Sequence, residues 1–120
     1  MNAEVTIAKG KMEREIKNNI IDSFYKELQV KLSDHLKRIM LFGSRARGDE
    51  TLESDYDCLV VVDEASSKIK EIIDEAAGNM LFKYNAVFSA FPFTEKELQA
   101  KKYSPFLINI EKEGIIYDRR

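Results

Sequence analysis

Leu41-Phe-Gly-Ser-Arg-Ala-Arg-Gly-Asp49, followed by Ser54-Asp-Tyr-Asp-Cys-Leu-Val-Val-Val62, decides how this chain is read. An apolar run, Ile39 to Phe42, ends on Gly43-Ser44. After ten residues come Asp55 and Asp57, one residue apart, and a second apolar run, Leu59 to Val62, follows at once. Consecutive apolar residues predict two strands buried on both faces. Gly43 permits a turn that a side chain would obstruct. Ser44 to Arg47 opens a short helix, Gly48-Asp49 closes it, and Glu50 to Ser54 is a polar loop.

Successive strand side chains point to opposite faces, so Asp55 and Asp57 project together. Two carboxylates this close repel each other unless a cation or a proton intervenes. Oxygen ligands of this kind suit Mg²⁺ or Mn²⁺, and magnesium takes one or two carboxylates together with substrate phosphates. A nucleoside triphosphate, ATP or another NTP, supplies those phosphates. Gly43 lets the backbone approach a phosphate. The Ser44 hydroxyl and the helix N-terminus donate to it. Arg45 and Arg47 are cations suited to its oxygens. The residue pattern therefore points to phosphoryl or nucleotidyl transfer by positioning and charge neutralisation.

Working outward, Met12, Ile16, Ile20, Ile21, Phe24, Leu28 and Leu32 fall at three- and four-residue steps, predicting an amphipathic helix from Lys11 to about Ser33. Residues 1–10 read as a flexible lead-in and residues 11–120 as a single domain. Ile69, Ile72, Ile73, Ala76, Met80 and Leu81 give a second amphipathic helix, with Gly78 as its end or weak point. Tyr84 to Phe93 is aromatic and β-branched enough for a third strand. Pro92 places that strand at an edge. Thr94-Glu-Lys-Glu97 matches a capping box. Ser104-Pro105 is a cap followed by proline at the first helical position, Gly114 ends that helix, and Ile115 to Tyr117 adds a short strand. The element order predicts an α/β (α+β) domain, a mixed β-sheet flanked by helices.

At 120 residues, with 44% apolar and 33% charged positions, the chain can bury a core. Its net charge of −2 gives no general attraction to nucleic acid or to an acidic membrane. Cys58 is the single cysteine, so no internal disulfide and no cysteine-based zinc site is expected. No apolar run reaches the roughly 18 residues of a membrane span, and Met1 to Lys17 has no signal-peptide core. A cytoplasmic protein is expected. His35 reads as a helix-end residue. Cys58 lies on the strand face opposite Asp55 and Asp57 and reads as a small core residue. Asp49 reads as a brace for the loop. Tyr84, Phe88, Phe91 and Phe93 read as core or an oligomer surface, with contact of one of them to the nucleotide base as the alternative.

Gly43-Ser44, ten residues, then Asp55-x-Asp57 resembles the signature of the polymerase-beta-like nucleotidyltransferases. Leu41-Phe-Gly-Ser-Arg-Ala-Arg-Gly48 with Ser54-Asp-Tyr-Asp57 is similar to their minimal bacterial and archaeal members. So is the closing segment Ser104 to Tyr117. The resemblance, from about Ile20 to Asp118, implies the nucleotidyltransferase fold and transfer of a nucleoside monophosphate, usually AMP, from Mg·NTP to an acceptor, a hydroxyl of a partner protein or of a small molecule. It implies a helical partner protein, in some pairs a HEPN-type toxin that the nucleotidyltransferase, as antitoxin, adenylylates. A homodimer is the other arrangement expected of so short a chain. Members commonly carry a third carboxylate on the strand after the second helix. Lys83 to Phe93 contains none, and the matching position is Ser89. Two functions are therefore expected: an Mg-dependent nucleotidyltransferase, or a weakly active or inactive NTP-binding antitoxin that acts by contact.

Overall fold

The two apolar runs around the glycine turn are adjacent antiparallel strands in the computed structural model, which describes residues 4–6, 12–48 and 55–118. Strand β1 is Glu4–Thr6 and helix α1 Met12–Leu32. Strand β2 (Leu36–Phe42) leads through the turn into the one-turn helix α2 (Ser44–Arg47). Then come β3 (Tyr56–Val62), α3 (Ser67–Tyr84), β4 (Phe88–Thr94), α4 (Glu95–Ala100), α5 (Pro105–Glu113) and β5 (Ile115–Asp118). The sheet order is β1-β5-β2-β3-β4. Among the described strands only β3 and β4 run parallel, because helix α3 carries the chain back to the starting edge between them. The expected mixed sheet flanked by helices is thus present.

Strand β3 is central and buried along its length except at Asp57. Its alternation sorts the interior into two layers. Tyr56, Cys58, Val60 and Val62 meet α1 and α3 through Ile21, Phe24, Leu28, Leu32, Ile69, Ile73, Ala76 and Met80. Leu59 and Val61 face the other way and meet Met40, Leu107 and Ile110. The apolar steps read in both long helices are therefore largely their buried faces, except that Leu81, counted with the second helix, is 50% exposed. The side chains of Met12 and Ile16 lie outside the described residues. Cys58 is fully buried, as its small apolar position suggested.

Three local expectations need correction. Within the stretch 1–10 taken as a flexible lead-in, Glu4–Thr6 pair antiparallel with β5, and the rest of that stretch lies outside the described residues. Helix α3 does not end at Gly78 but runs to Tyr84, and a methyl group at Gly78 would meet nothing within 4 Å. Asn85, in the left-handed conformation at φ 54°, stops the helix, so the third strand begins at Phe88 and not at Tyr84. Gly114 does end α5, but with φ −71°. Space, not backbone conformation, requires glycine there: a Cβ would stand 2.5 Å from the Ile110 carbonyl oxygen.

The capping box is formed: the Thr94 hydroxyl accepts from the Glu97 N–H at 3.1 Å and the Glu97 carboxylate accepts from the Thr94 N–H at 2.9 Å. Ser104 caps α5 ahead of Pro105. Pro92 sits on β4, an edge strand, as expected. No helix among the described residues is long and apolar enough to cross a membrane.

Candidate functional site

Asp57 is the second residue of β3, placed there because the apolar run behind it locks β3 between β2 and β4. The ladder pairs Asp57 with Phe42 on one side and with Ser89 on the other. Laterally paired residues share a face, so Phe42, Asp57 and Ser89 form one row across three strands. Ser89 thus stands beside Asp57, at the position reached by counting back from Thr94. Asp55 lies just ahead of β3 and is exposed.

The Asp57 carboxyl is held above the usual carboxylate range, first by partial burial and second by the negative charge of Asp55. A half-buried acid beside another acid is a site short of positive charge. Among the described residues there is no group of three or more acidic, histidine or cysteine side chains that could enclose a metal ion. The donor set fits one hard cation that keeps positions for phosphate oxygens and water, as magnesium does.

Gly43 brings the second half of the site to the same spot. Its backbone, φ 80° and ψ −159°, lies in a region essentially reserved for glycine. A Cβ built there would be 2.5 Å from Asp57 Oδ2. The turn and the carboxylate are therefore in contact, and only the missing side chain allows it. The Gly43 carbonyl accepts from the Ala46 and Arg47 N–H groups, both at 3.1 Å, which winds the chain into α2. Gly48, at φ 90°, closes that helix. As first residue of α2, Ser44 presents its N–H and its hydroxyl at the turn. With one turn only, α2 adds little macrodipole, so the expected contribution of a helix N-terminus is confined to these local donors.

The two arginines point to different neighbours. Arg45 lies 4.0 Å over the Tyr56 ring, which itself stacks on Phe88 at 4.6 Å. Arg47 forms an ion pair with Glu113 of α5 at 3.3 Å. Beside it, Phe42, Gly43, Arg47, Phe106, Asn109, Ile110 and Glu113 line a recess of about 300 Å³. Asp49 and Ser54 lie outside the described residues.

Sequence reading gave Phe91 and Phe93 to the core or an oligomer surface and did not join Phe42 and Phe106 to them, although the four form an aromatic cluster on this face. Phe42 meets Phe106 edge-on at 5.6 Å and Phe91 at 6.2 Å, and Phe106 meets Phe93 at 6.5 Å. Phe91 and Phe93 share the strand face of Ser89 by their spacing of two, a signal present in the sequence. Phe106 reaches them only because α5 folds back over the sheet. His35 closes a 3₁₀ turn after α1 at the opposite end of the sheet, its Nδ1 2.8 Å from Asp63 Oδ1. That is the helix-end role expected of it, far from Asp57.

The nucleotidyltransferase domain family matches residues 21–118. Two proteins of Methanocaldococcus jannaschii, named as candidate protein adenylyltransferases, are similar to this chain. MJ0141 is 42% identical over 97 residues, 80% of this chain and 93% of its own. MJ1305 is 30% identical over 112 residues, 90% of this chain and 76% of its own. A chain of the crystal structure of a toxin–antitoxin with AMP-PNP has the same fold, with TM-score 0.51 at 16% identity, over 76% of this chain and 67% of that one. With the glycine turn, the paired aspartates and the sheet all in place, this chain belongs to the nucleotidyltransferase domain family.

Proposed function

We propose that the protein transfers a nucleoside monophosphate, AMP by preference, from Mg·NTP to a hydroxyl of a partner protein. The observation that carries this reading is the contact between the Gly43 turn and the Asp57 carboxylate. It puts phosphate donors and cation ligands within one substrate's length of each other. Ser44 and the turn would hold the β- and γ-phosphates, with Arg45 and Arg47 near the phosphate tail. Asp55 and Asp57 would hold Mg²⁺, which when bound neutralises charge on the α-phosphate and the leaving pyrophosphate. The acceptor oxygen bonds to the α-phosphorus, the bond to pyrophosphate breaks, and the acceptor's proton leaves to water. The names of the archaeal relatives support a protein acceptor. The toxin–antitoxin with AMP-PNP, alike in fold, supports an adenine nucleoside triphosphate as donor and a toxin-type partner protein.

The test is incubation with α-³²P-ATP, Mg²⁺ and the purified helical partner. Label on the partner that disappears with Asp57→Asn supports the reading. Absence of label with every NTP and partner sinks it.

A second reading, a weakly active or inactive antitoxin that acts by contact, is favoured by one observation: Ser89 stands in register with Asp57 where a carboxylate would complete the site. Replacing both Asp55 and Asp57 by Ala separates the two. If partner binding and its biological effect survive, contact alone suffices. Ser89→Asp sharpens the comparison, because an added carboxylate should raise the transfer rate about tenfold or more if turnover is limited by that missing ligand.

A further inference from the structure

Four residues make too short a helix to persist alone, so α2 depends on what holds it. Both layers of the fold do. Ala46 is buried in the layer under α1 and α3. Arg47 pairs with Glu113 of α5 on the other side. Arg45 supplies a further hold: its guanidinium carbon stands 4.0 Å from the centre of the Tyr56 ring. That ring also stacks on Phe88, with centroids 4.6 Å apart and planes 4° from parallel. Phe88 in turn meets Phe24 at 4.4 Å. All of these rings are buried, so a continuous column runs from Arg45 into the core.

Tyr56 lies between Asp55 and Asp57 in sequence and points away from Asp57. Strand alternation sends its ring into the layer under α1 and α3, while Asp57 opens onto the α5 side in one row with Phe42 and Ser89. Arg45 reaches over to that ring. A cation above an aromatic face is attracted by the ring's quadrupole, more strongly where water is excluded. The flat guanidinium suits such stacking better than an ammonium. What the column fixes is the start of α2. Ser44 directly precedes Arg45, and the Gly43 turn stands against Asp57 with room for no side chain. Donors displaced there by about 1 Å lose about a hundredfold in rate.

We propose that Arg45 is a positioning residue for nucleotidyl transfer, acting through the Tyr56 ring: it clamps α2 so that Ser44 and the Gly43 turn keep their place against Asp57. It is not itself a ligand of the phosphates. The role rests on the nucleotidyl-transfer reading above. Tyr56, the middle residue of the acidic motif, thereby ties the phosphate turn to the larger packed layer.

The test is a double-mutant cycle of Arg45→Gln and Tyr56→Leu in the full chain, read by calorimetry with Mg·ATP. Each substitution alone should weaken binding about tenfold. The double variant should lose no more than the worse single, because the second change finds the clamp already gone. Tyr56→Phe keeps the ring and should bind within about twofold of wild type. Ring-fluorinated phenylalanines at position 56 keep its shape but drain its negative face. Affinity should therefore fall with each added fluorine while the melting temperature holds. This series decides the matter should Tyr56→Leu not fold. Losses that add in the cycle, or an affinity indifferent to the fluorines, overturn the proposal. So do variants that melt earlier yet bind Mg·ATP as wild type does, since the pair is then merely structural. If wild type binds Mg·ATP but labels no partner from α-³²P-ATP, the transfer reading has failed while binding still decides the clamp. No binding of any NTP by wild type ends both.

Discussion

The two faces of the sheet are built on different terms. The face under α1 and α3 gathers twenty buried residues among those described, with Phe24 and Phe88 in contact at 4.4 Å. The face under α5 gathers five, and its aromatic cluster leaves Phe91 and Phe106 at 41% and 43% exposure. Asp57 and Ser89 open onto the thin face. A site that must admit a triphosphate and a cation cannot be sealed by helices, so one face supplies most of the stability and the other keeps access. Phe24→Ala tests this at its largest. It should cost about 3–5 kcal/mol in urea unfolding, as for a fully buried aromatic. Phe106→Ala, already partly in solvent, should cost less than half as much. Equal losses would dissolve the distinction.

Gly43→Ala asks whether the thin face tolerates the smallest added group. The Gly43 backbone lies where side chains cost about 1–3 kcal/mol. The added methyl would also displace the Asp57 carboxylate it meets at 2.5 Å. A shift of that size should reduce transfer about a hundredfold. Unchanged transfer with a modest loss of melting temperature would show that turn and carboxylate act separately.

The back of the thick face gives the opposite sign. Gly78 sits on the solvent side of α3, where a methyl group meets nothing within 4 Å. Gly78→Ala should raise stability by roughly 0.5–1 kcal/mol in chemical denaturation, from helix propensity and reduced freedom of the unfolded chain.

Legibility followed the same division. The long helices and central strands were readable because a thick core imposes strict periodicity. The two caps were readable because their chemistry is local. The acidic pair and its neighbour Ser89 could be placed by counting, since strand alternation and register are regular. What escaped depends on contacts distant in sequence. A three-residue strand such as Glu4–Thr6 has meaning only once β5 is beside it. The ion pair of Arg47 with Glu113, 66 residues away, is visible only once α5 is in place. Tyr84 to Val87 carries strand-like residues, yet α3 runs on through Tyr84 and Asn85, in a left-handed conformation, caps it, so the strand starts only at Phe88.

Within the site, Asp57→Asn should separate stability from activity. The folded-state acid is raised, so the native chain holds that proton more readily than the unfolded one. The penalty for ionising it is absent below the ordinary carboxylate range and grows as pH rises through and above that range. At neutral pH, Asp57→Asn should therefore stabilise the protein by about a fraction of a kcal/mol, discounted because the group is only partly buried, while abolishing transfer. Added Mg²⁺ should raise the melting temperature of wild type and leave the variant unmoved. A variant less stable than wild type at neutral pH, without metal, would show that Asp57 is a structural acid.

The far end of the same two strands provides the smallest effect, with the opposite pH sense. His35 precedes β2 and Asp63 follows β3, and their side chains meet at 2.8 Å. The hydrogen bond from His35, and then its charge, holds the Asp63 carboxyl below its usual range. The same bond raises the His35 imidazolium above its own. The raised histidine contributes stability fully below its unfolded-state pKa and loses it as pH rises through the folded value. The lowered carboxyl contributes above the carboxylate range and loses it as pH falls. The pair thus helps most in the mildly acidic interval between them, where the Asp57 penalty is already shrinking. Both groups are exposed, so salt weakens the effect. His35→Gln should lower the melting temperature slightly at about pH 5.5 and hardly at all near pH 8.5. The difference should vanish in about 1 M salt. A loss equal at both pH values would mean that His35 serves by packing at the helix end and not by its charge.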